Sequence, residues 1–297
     1  MTNPTDPHVR PRRGVLFMPG ANARALEKAR TLPADGFIFD LEDAVAPDAK
    51  EMARQQVCEA LATGGYGARE RVVRVNGLDS PWGEADIAAI ATSDLDAVLL
   101  PKVEGPEMVE QVVDLLVSHG ARDDLPIWCM IETPMGVLRV EALAAAWRGR
   151  IGALVMGTSD LATDLHCLHT PTRTAFLYSL SHCIVVARAY GVAVLDGVHL
   201  DLSDDGGFAA SCQQGLELGF DGKTLIHPKT IAQANATFGP DGVAVTWSRR
   251  VIEAFDAAAA EGKGVVLLDG QLIENLHVTE ARRVVTLAEN IERLENS

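Results

Sequence analysis

Residues 126–160 read PIWCMIETPMGVLRVEALAAAWRGRIGALVMGTSD. Two short apolar runs, 126–133 and 153–160, flank a helix-length segment near 137–146, and the runs carry acids at their ends, Glu132 and Asp160. An apolar run without polar alternation marks a strand covered on both faces. Strand–helix–strand spacing of this kind joins parallel strands. The unit recurs in both directions. Upstream, strands are predicted at 14–20 (GVLFMPG), 36–43 (GFIFDLED), 71–77 (RVVRVNG) and 97–103 (AVLLPKV), with helices from an Asn22 cap to Arg30 and near 49–62, 84–92 and 107–118. Downstream come 192–199 (VAVLDGVH) and 220–227 (FDGKTLIH), with helices near 172–190 and 206–217 and a last one opened by Pro228. Eight units predict an α/β protein of the closed (β/α)8, or TIM, barrel type. The barrel is expected over 13–240, behind a disordered lead-in at 1–12. Past Gly239-Pro240 the alternation stops. A helix near 245–261, a strand-like 264–270 and a charged helix near 277–294 predict a C-terminal helical extension over 241–297, a lid or an arm packing on a neighbouring subunit.

The composition narrows the function. The chain has 297 residues, of which 47% are hydrophobic and 5% aromatic, and a net charge of −15. Such a balance argues against nucleic acid, which needs a basic stripe, and against an anionic membrane surface. An anionic small molecule remains acceptable wherever local cations reverse the field. The five cysteines form no C-x-x-C pair, which fits free thiols in a reducing compartment. No apolar run reaches the ~18 residues of a membrane helix, and the polar N-terminus lacks the apolar core of a signal peptide. The expected location is the cytoplasm.

Position is the stronger signal. Polar groups end the strand runs: Asp40, Glu42 and Asp43; Arg74 and Asn76; Lys102; Glu132; Asp160; Asp196 and His199; Lys223 and His227. The C-terminal ends of barrel strands share the face that carries active sites. Glu132 and Asp160, with no His or Cys beside them, suit a hard cation such as Mg²⁺, held by one or two carboxylates, water and substrate oxygens. Arg74, inside an apolar strand, either pairs with Asp40 or Glu42, or turns its planar fork to a substrate oxygen, or does both. His166 and His169 lack the third ligand of a zinc site, and Gly64-Gly65-Tyr66-Gly67 reads as a turn. No G-x-S-x-G elbow is present.

These stretches, taken together, resemble a family. R-G-V-L-F-M-P-G, D-L-E-D-A-V-A-P-D-A-K, V-R-V-N-G, L-P-K-V-E, I-E-T, G-T-S-D-L-A, L-D-G-V and G-F-D-G-K-T-L-I-H-P run in order along nearly the whole chain. They are similar to the HpcH/HpaI aldolase and citrate lyase β-subunit superfamily, in its CoA-thioester branch of malyl-CoA lyases and (3S)-malyl-CoA thioesterases. The resemblance implies a barrel, Mg²⁺ on Glu132 and Asp160, a CoA-thioester substrate met by Arg74 and Glu132, and homotrimers or hexamers. It also implies that the C-terminal segment presents an acid to a neighbour's site. Many relatives carry Asp in a G-x-M-I-D phrase there, whereas this chain has Gly270-Gln271-Leu272-Ile273-Glu274.

The leading expectation is Mg²⁺-dependent retro-Claisen cleavage of a hydroxyacyl-CoA such as malyl-CoA or β-methylmalyl-CoA. Glu274 would move the proton, Arg74 would meet the acyl-CoA enolate, and Asp40, Glu42 and Asp43 would orient Arg74 and the waters. The alternative is thioester hydrolysis at the same site. A third reading is a non-catalytic subunit that binds CoA esters. Arg13, Arg24 and Lys28, near the first strand, are the candidate contacts for CoA phosphates.

Overall fold

The computed structural model describes residues 10–297. Eight parallel strands close into a barrel in chain order: β1 (Gly14–Pro19), β2 (Gly36–Asp40), β3 (Glu70–Arg74), β4 (Ala97–Leu100), β5 (Ile127–Ile131), β6 (Ile151–Met156), β7 (Ala193–Asp196) and β8 (Gly222–Leu225). β8 returns to β1 with Lys223 opposite Gly14. The helices between and after them are α1 (Ala23–Ala29), α2 (Lys50–Thr63), α3 (Gly83–Ile90), α4 (Pro106–Ser118), α5 (Pro134–Ala146), α6 (Thr158–Asp164), α7 (Leu177–Tyr190), α8 (Asp205–Leu218) and α9 (Ile231–Phe238). The expected (β/α)8 barrel is therefore present, with helices beyond it. The caps follow local chemistry. Asn22 accepts from the Ala25 N–H at 3.1 Å, and Thr133 from that of Gly136 at 3.0 Å, behind Pro134 in the first turn of α5. The strands are shorter than expected, so that Asp40, Arg74, Asp196 and Lys223 lie within them while Glu42, Asp43, Asn76, Lys102 and Glu132 fall just past their ends, and the β6–β7 connection holds two helices, so Asp160 lies in the first turn of α6.

Alternate residues of each strand face opposite sides. Val15, Ile38, Val72, Leu99, Trp128, Val155 and Leu195 fill the lumen. Leu16, Phe37, Phe39, Val73, Val98, Leu154 and Val194 pack outward against the helices. The same period sorts the polar groups. Asp40 follows Ile38 inward, Arg74 follows Val72, and Glu132 follows Met130. On β7 and β8 the phase is opposite. Asp196 and Lys223, read from the sequence as rim groups, point outward beneath α8, where a Cβ on Gly215 would lie 2.9 Å from Asp196 Oδ2. There Lys223 Nζ donates to Asp196 Oδ2 at 2.8 Å, and Arg173 Nη1 to Oδ1 at 2.6 Å. Burial opposes ionisation of Asp196, but Lys223 and Arg173 outweigh it and hold the carboxyl below the usual carboxylate range.

At the opposite, N-terminal end, Arg12 grips Glu70 through two hydrogen bonds of 2.7 Å and lies 5.0 Å over the Trp128 ring. Of the expected disordered lead-in, residues 1–9 lie outside the described residues, and Arg12 is a buried plug of the barrel floor. The extension consists of α10 (Gly242–Ala260), an antiparallel hairpin of β9 (Val266–Leu268) and β10 (Gln271–Ile273), and α11 (Asn275–Glu295). The hairpin turns on Asp269-Gly270, both at positive φ, 47° and 81°; this Asp-Gly signal distinguishes a hairpin from the single strand expected at 264–270. Val251, Ile273, Val278 and Ala281 form a small core of the extension's own. Among the described residues, no helix is long and apolar enough to cross a membrane.

Because Asp196 depends on two buried cations, Lys223→Met is expected to cost about 3 kcal/mol of unfolding free energy in urea titration at neutral pH.

Candidate active site

The mouth of the barrel is a cavity of about 320 Å³ lined by Phe17, Asp40, Arg74, Met130, Glu132 and Asp160, among others. Parallel pairing sets Arg74 of β3 directly opposite Asp40 of β2. Arg74 Nε donates to Asp40 Oδ1 at 2.7 Å and Nη2 to Oδ2 at 2.6 Å, a bidentate fork. Nη1 lies 2.8 Å from Glu42 Oε2, makes a long contact of 3.6 Å to Met130 Sδ, and the guanidinium stacks 4.9 Å over Phe17. Burial alone would weaken its charge, but Asp40, Glu42 and Asp43 more than compensate and push its pKa up. Asp40 in turn accepts the N–H groups of Glu42 and Ala44, so the D-L-E-D loop folds around the carboxylate that orients the arginine.

The mouth has two electrostatic halves. Glu42 is buried, which would raise its pKa, yet Arg74 and Lys102 prevail and lower it. Lys102 Nζ donates to Glu42 Oε1 at 2.9 Å. Asp43 is raised, by burial and by Glu42 beside it. Glu132, 2% exposed, is pushed up to about 7 by burial, against the Lys102 N–H that bonds it and with Asp160 adding repulsion. Gly157 makes room for it: a Cβ there would meet Glu132 Oε2 at 2.3 Å. Among the described residues, no group of three or more His, Cys, Asp or Glu is arranged to hold a metal. The candidate is the pair, a buried carboxylate that receives one backbone N–H and a half-exposed Asp160. Two carboxylates that leave the other positions to water and substrate oxygens match the demands of Mg²⁺.

The other sequence-predicted residues separate. Arg24 and Lys28 lie exposed on α1, one turn apart, and α1 starts at the mouth end of β1. Arg13 does not join them. It is buried at the start of β1, on the barrel floor, where it pairs with Asp35 at 2.8 Å and Glu295 at 3.0 Å. Glu274 is exposed in the extension, where its side chain caps α11 and its N–H donates to His277 Nδ1 at 3.0 Å. Asn76 faces a buried brace: Lys50 Nζ donates to the carbonyls of Leu41 and Glu42 and to Asn76 Oδ1, at 2.7–2.8 Å. His169, discounted as a ligand, bonds Thr158 Oγ1 at 3.2 Å. Sequence reading missed Lys50, Arg173 and the full role of Lys102; the lysine in D-A-V-A-P-D-A-K was the available signal for the first.

Fold and mouth together define a (β/α)8-barrel protein whose site gathers carboxylates around one guanidinium. The chain belongs to the HpcH/HpaI aldolase/citrate lyase family, whose model matches residues 13–228. It is 46% identical over 281 residues to a (3S)-malyl-CoA thioesterase of Cereibacter sphaeroides (strain KD131), covering 95% of this chain and 96% of that one. It is 33% identical over 310 residues to the L-malyl-CoA/beta-methylmalyl-CoA lyase of Cereibacter sphaeroides (strain ATCC 17029), covering 96% and 97%. Its fold is similar to that of CitE from Mycobacterium tuberculosis in complex with magnesium, acetoacetate and coenzyme A, with a TM-score of 0.75, 27% identity, and coverage of 95% and 99%. Both of these Cereibacter relatives are named as enzymes of malyl-CoA thioesters.

The raised carboxyl predicts a pH signature. Glu132 holds its proton more tightly folded than unfolded, so its charge penalises the folded state increasingly from pH 4.5 to about 7 and fully above. In metal-free protein, Glu132→Gln should raise stability on the order of 2 kcal/mol at pH 8 and leave it unchanged at pH 4, measured by chemical unfolding at both.

Proposed function

We propose that this protein is a Mg²⁺-dependent enzyme of malyl-CoA-type thioesters and that its reaction is hydrolysis of the thioester. The observation that carries the reading is the buried, charge-starved Glu132 facing Asp160 across a mouth that also holds the fixed Arg74 guanidinium. The 46% likeness to a (3S)-malyl-CoA thioesterase supports hydrolysis over the carbon–carbon cleavage that the sequence reading put first.

Glu132 and Asp160 would hold the ion, which when bound supplies a Lewis acid for the hydroxyl and carboxylate of the malyl head. Arg74 meets the thioester oxygen, where negative charge develops. Its weakest contact, to the Met130 sulfur, is the one a substrate oxygen can replace without breaking an ion pair. Asp40 and Glu42 hold the fork still, so that little reorganisation is needed during reaction. Asp43, a mouth carboxyl with a raised pKa, takes the proton of the attacking water, and the CoA sulfur departs as a thiol. Arg24 and Lys28 meet the CoA phosphates.

The lyase reading keeps one observation in its favour: the chain carries an acid, Glu274, at the N-terminus of α11. In a homotrimer or hexamer that carboxylate would enter a second copy's mouth and exchange the hydroxyl proton. The hairpin beside it leaves Leu267 and Leu272 exposed at 69% and 54%, and Leu276 at 64%, an apolar surface suited to burial against another subunit.

Pure protein with Mg²⁺ and malyl-CoA should release free thiol and malate without glyoxylate. Glyoxylate without thiol would establish the lyase, and a bound ester with neither product would establish a binding subunit. Chelation by EDTA, or Glu132→Ala, should cut turnover at least about 100-fold, and activity surviving both would exclude the metal. Arg74→Lys should lose on the order of 100-fold in kcat. Full thioesterase turnover in Glu274→Gln removes that acid from the reaction, and a large loss of kcat in Asp43→Asn assigns the proton to Asp43.

A further inference from the structure

Four non-glycine residues among those described have positive φ, and Lys102, at φ 49°, is the one at the mouth that touches its acids. This left-handed conformation crowds the Cβ of an L-residue and persists where the surroundings demand it. Glycine would make the same turn without strain, so the side chain must repay the strain. The turn lets one residue reach in two directions. Its N–H bonds Glu132 Oε1 at 2.8 Å, while its ammonium lies 2.9 Å from Glu42 Oε1 and 3.7 Å from Asp160 Oδ2. Lys102 thus touches three of the five mouth acids, two of which form the candidate metal pair.

We propose that Lys102 is a resident counter-cation of this acid cluster, whose ammonium neutralises Asp160 in the metal-free protein and yields it when a divalent cation binds, keeping its hold on Glu42. The inference rests on the metal reading of Glu132 and Asp160. The ammonium and the incoming ion are like charges competing for the same carboxylate, so the substrate-free site binds the ion weakly. A hydroxycarboxylate substrate head reverses the balance, because its negative charge offers the displaced ammonium a new partner. Metal and substrate therefore bind cooperatively, and each raises the affinity of the other by the same factor. Half-exposure of the lysine, 49%, leaves it free to swing.

Isothermal titration of MgCl₂ into substrate-free protein tests this without any assay of turnover. Lys102→Met and Lys102→Gly should bind Mg²⁺ about tenfold more tightly than the native protein, and Lys102→Arg, which keeps the charge, should stay within about threefold of it. The glycine variant retains the turn and should melt no lower than the native protein, which covers the case in which the methionine variant fails to fold. Unchanged or weaker Mg²⁺ binding in the glycine variant would overturn the proposal. Native heat that persists undiminished in Glu132→Gln, or no heat in any of these proteins, would instead remove the metal reading and the proposal with it.

Discussion

A guanidinium buried at the top of a barrel must be paired, or it costs several kcal/mol in lost hydration. The Asp40–Arg74 fork meets that demand across adjacent parallel strands, and much of the mouth is arranged around it. Asp40 spends its remaining lone pairs on the N–H groups of Glu42 and Ala44, which bends the loop after β2 over the cavity. The bend delivers Glu42 to the other side of Arg74 and leaves Asp43 at the rim. Lys50 and Asn76 take the loop's carbonyls from behind. One ion pair, fixed by register, therefore places three acids, and the arginine reaches the cavity with its direction already decided.

The second half of the mouth has the opposite character. Glu132 is buried without a cation on it, and Gly157 is hollowed to leave its carboxylate room. On the β2–β3 side three acids gather on Arg74, while on the β5–β6 side Glu132 and Asp160 have no guanidinium of their own. Lys102 bridges the two through its backbone and side chain. Such a division suits a ligand with one end for a hard cation and another for hydrogen-bond donors, and a hydroxyacyl thioester has both.

The extension adds what the barrel lacks on its own. It has a separate apolar core, returns to the barrel floor through Glu295 and Arg13, and keeps its hairpin leucines and Glu274 in solvent. A relative named as a thioesterase and one named as a lyase both align with nearly the full chain.

The barrel was legible from residues alone because burial on both faces enforces continuous apolar runs, and eight of them alternating with helices leave few topologies. The placement of Glu132, Asp160 and Arg74 at the mouth was legible for a related reason, since a charge at the end of such a run is costly when buried without a partner. The side of the sheet taken by each polar residue was not legible. Asp196 and Lys223 look like Asp40 and Arg74 in the sequence, yet a one-residue difference in phase turns them outward to a structural ion pair. Arg13 precedes its strand instead of following it, and so lies on the floor with Asp35. The order of apolar and polar residues along the chain determined the fold and nominated the charges. Only the closed barrel, through strand register, the two-residue period and the clearance above Gly157, decided which charges meet and which carboxylate is left without an ion pair.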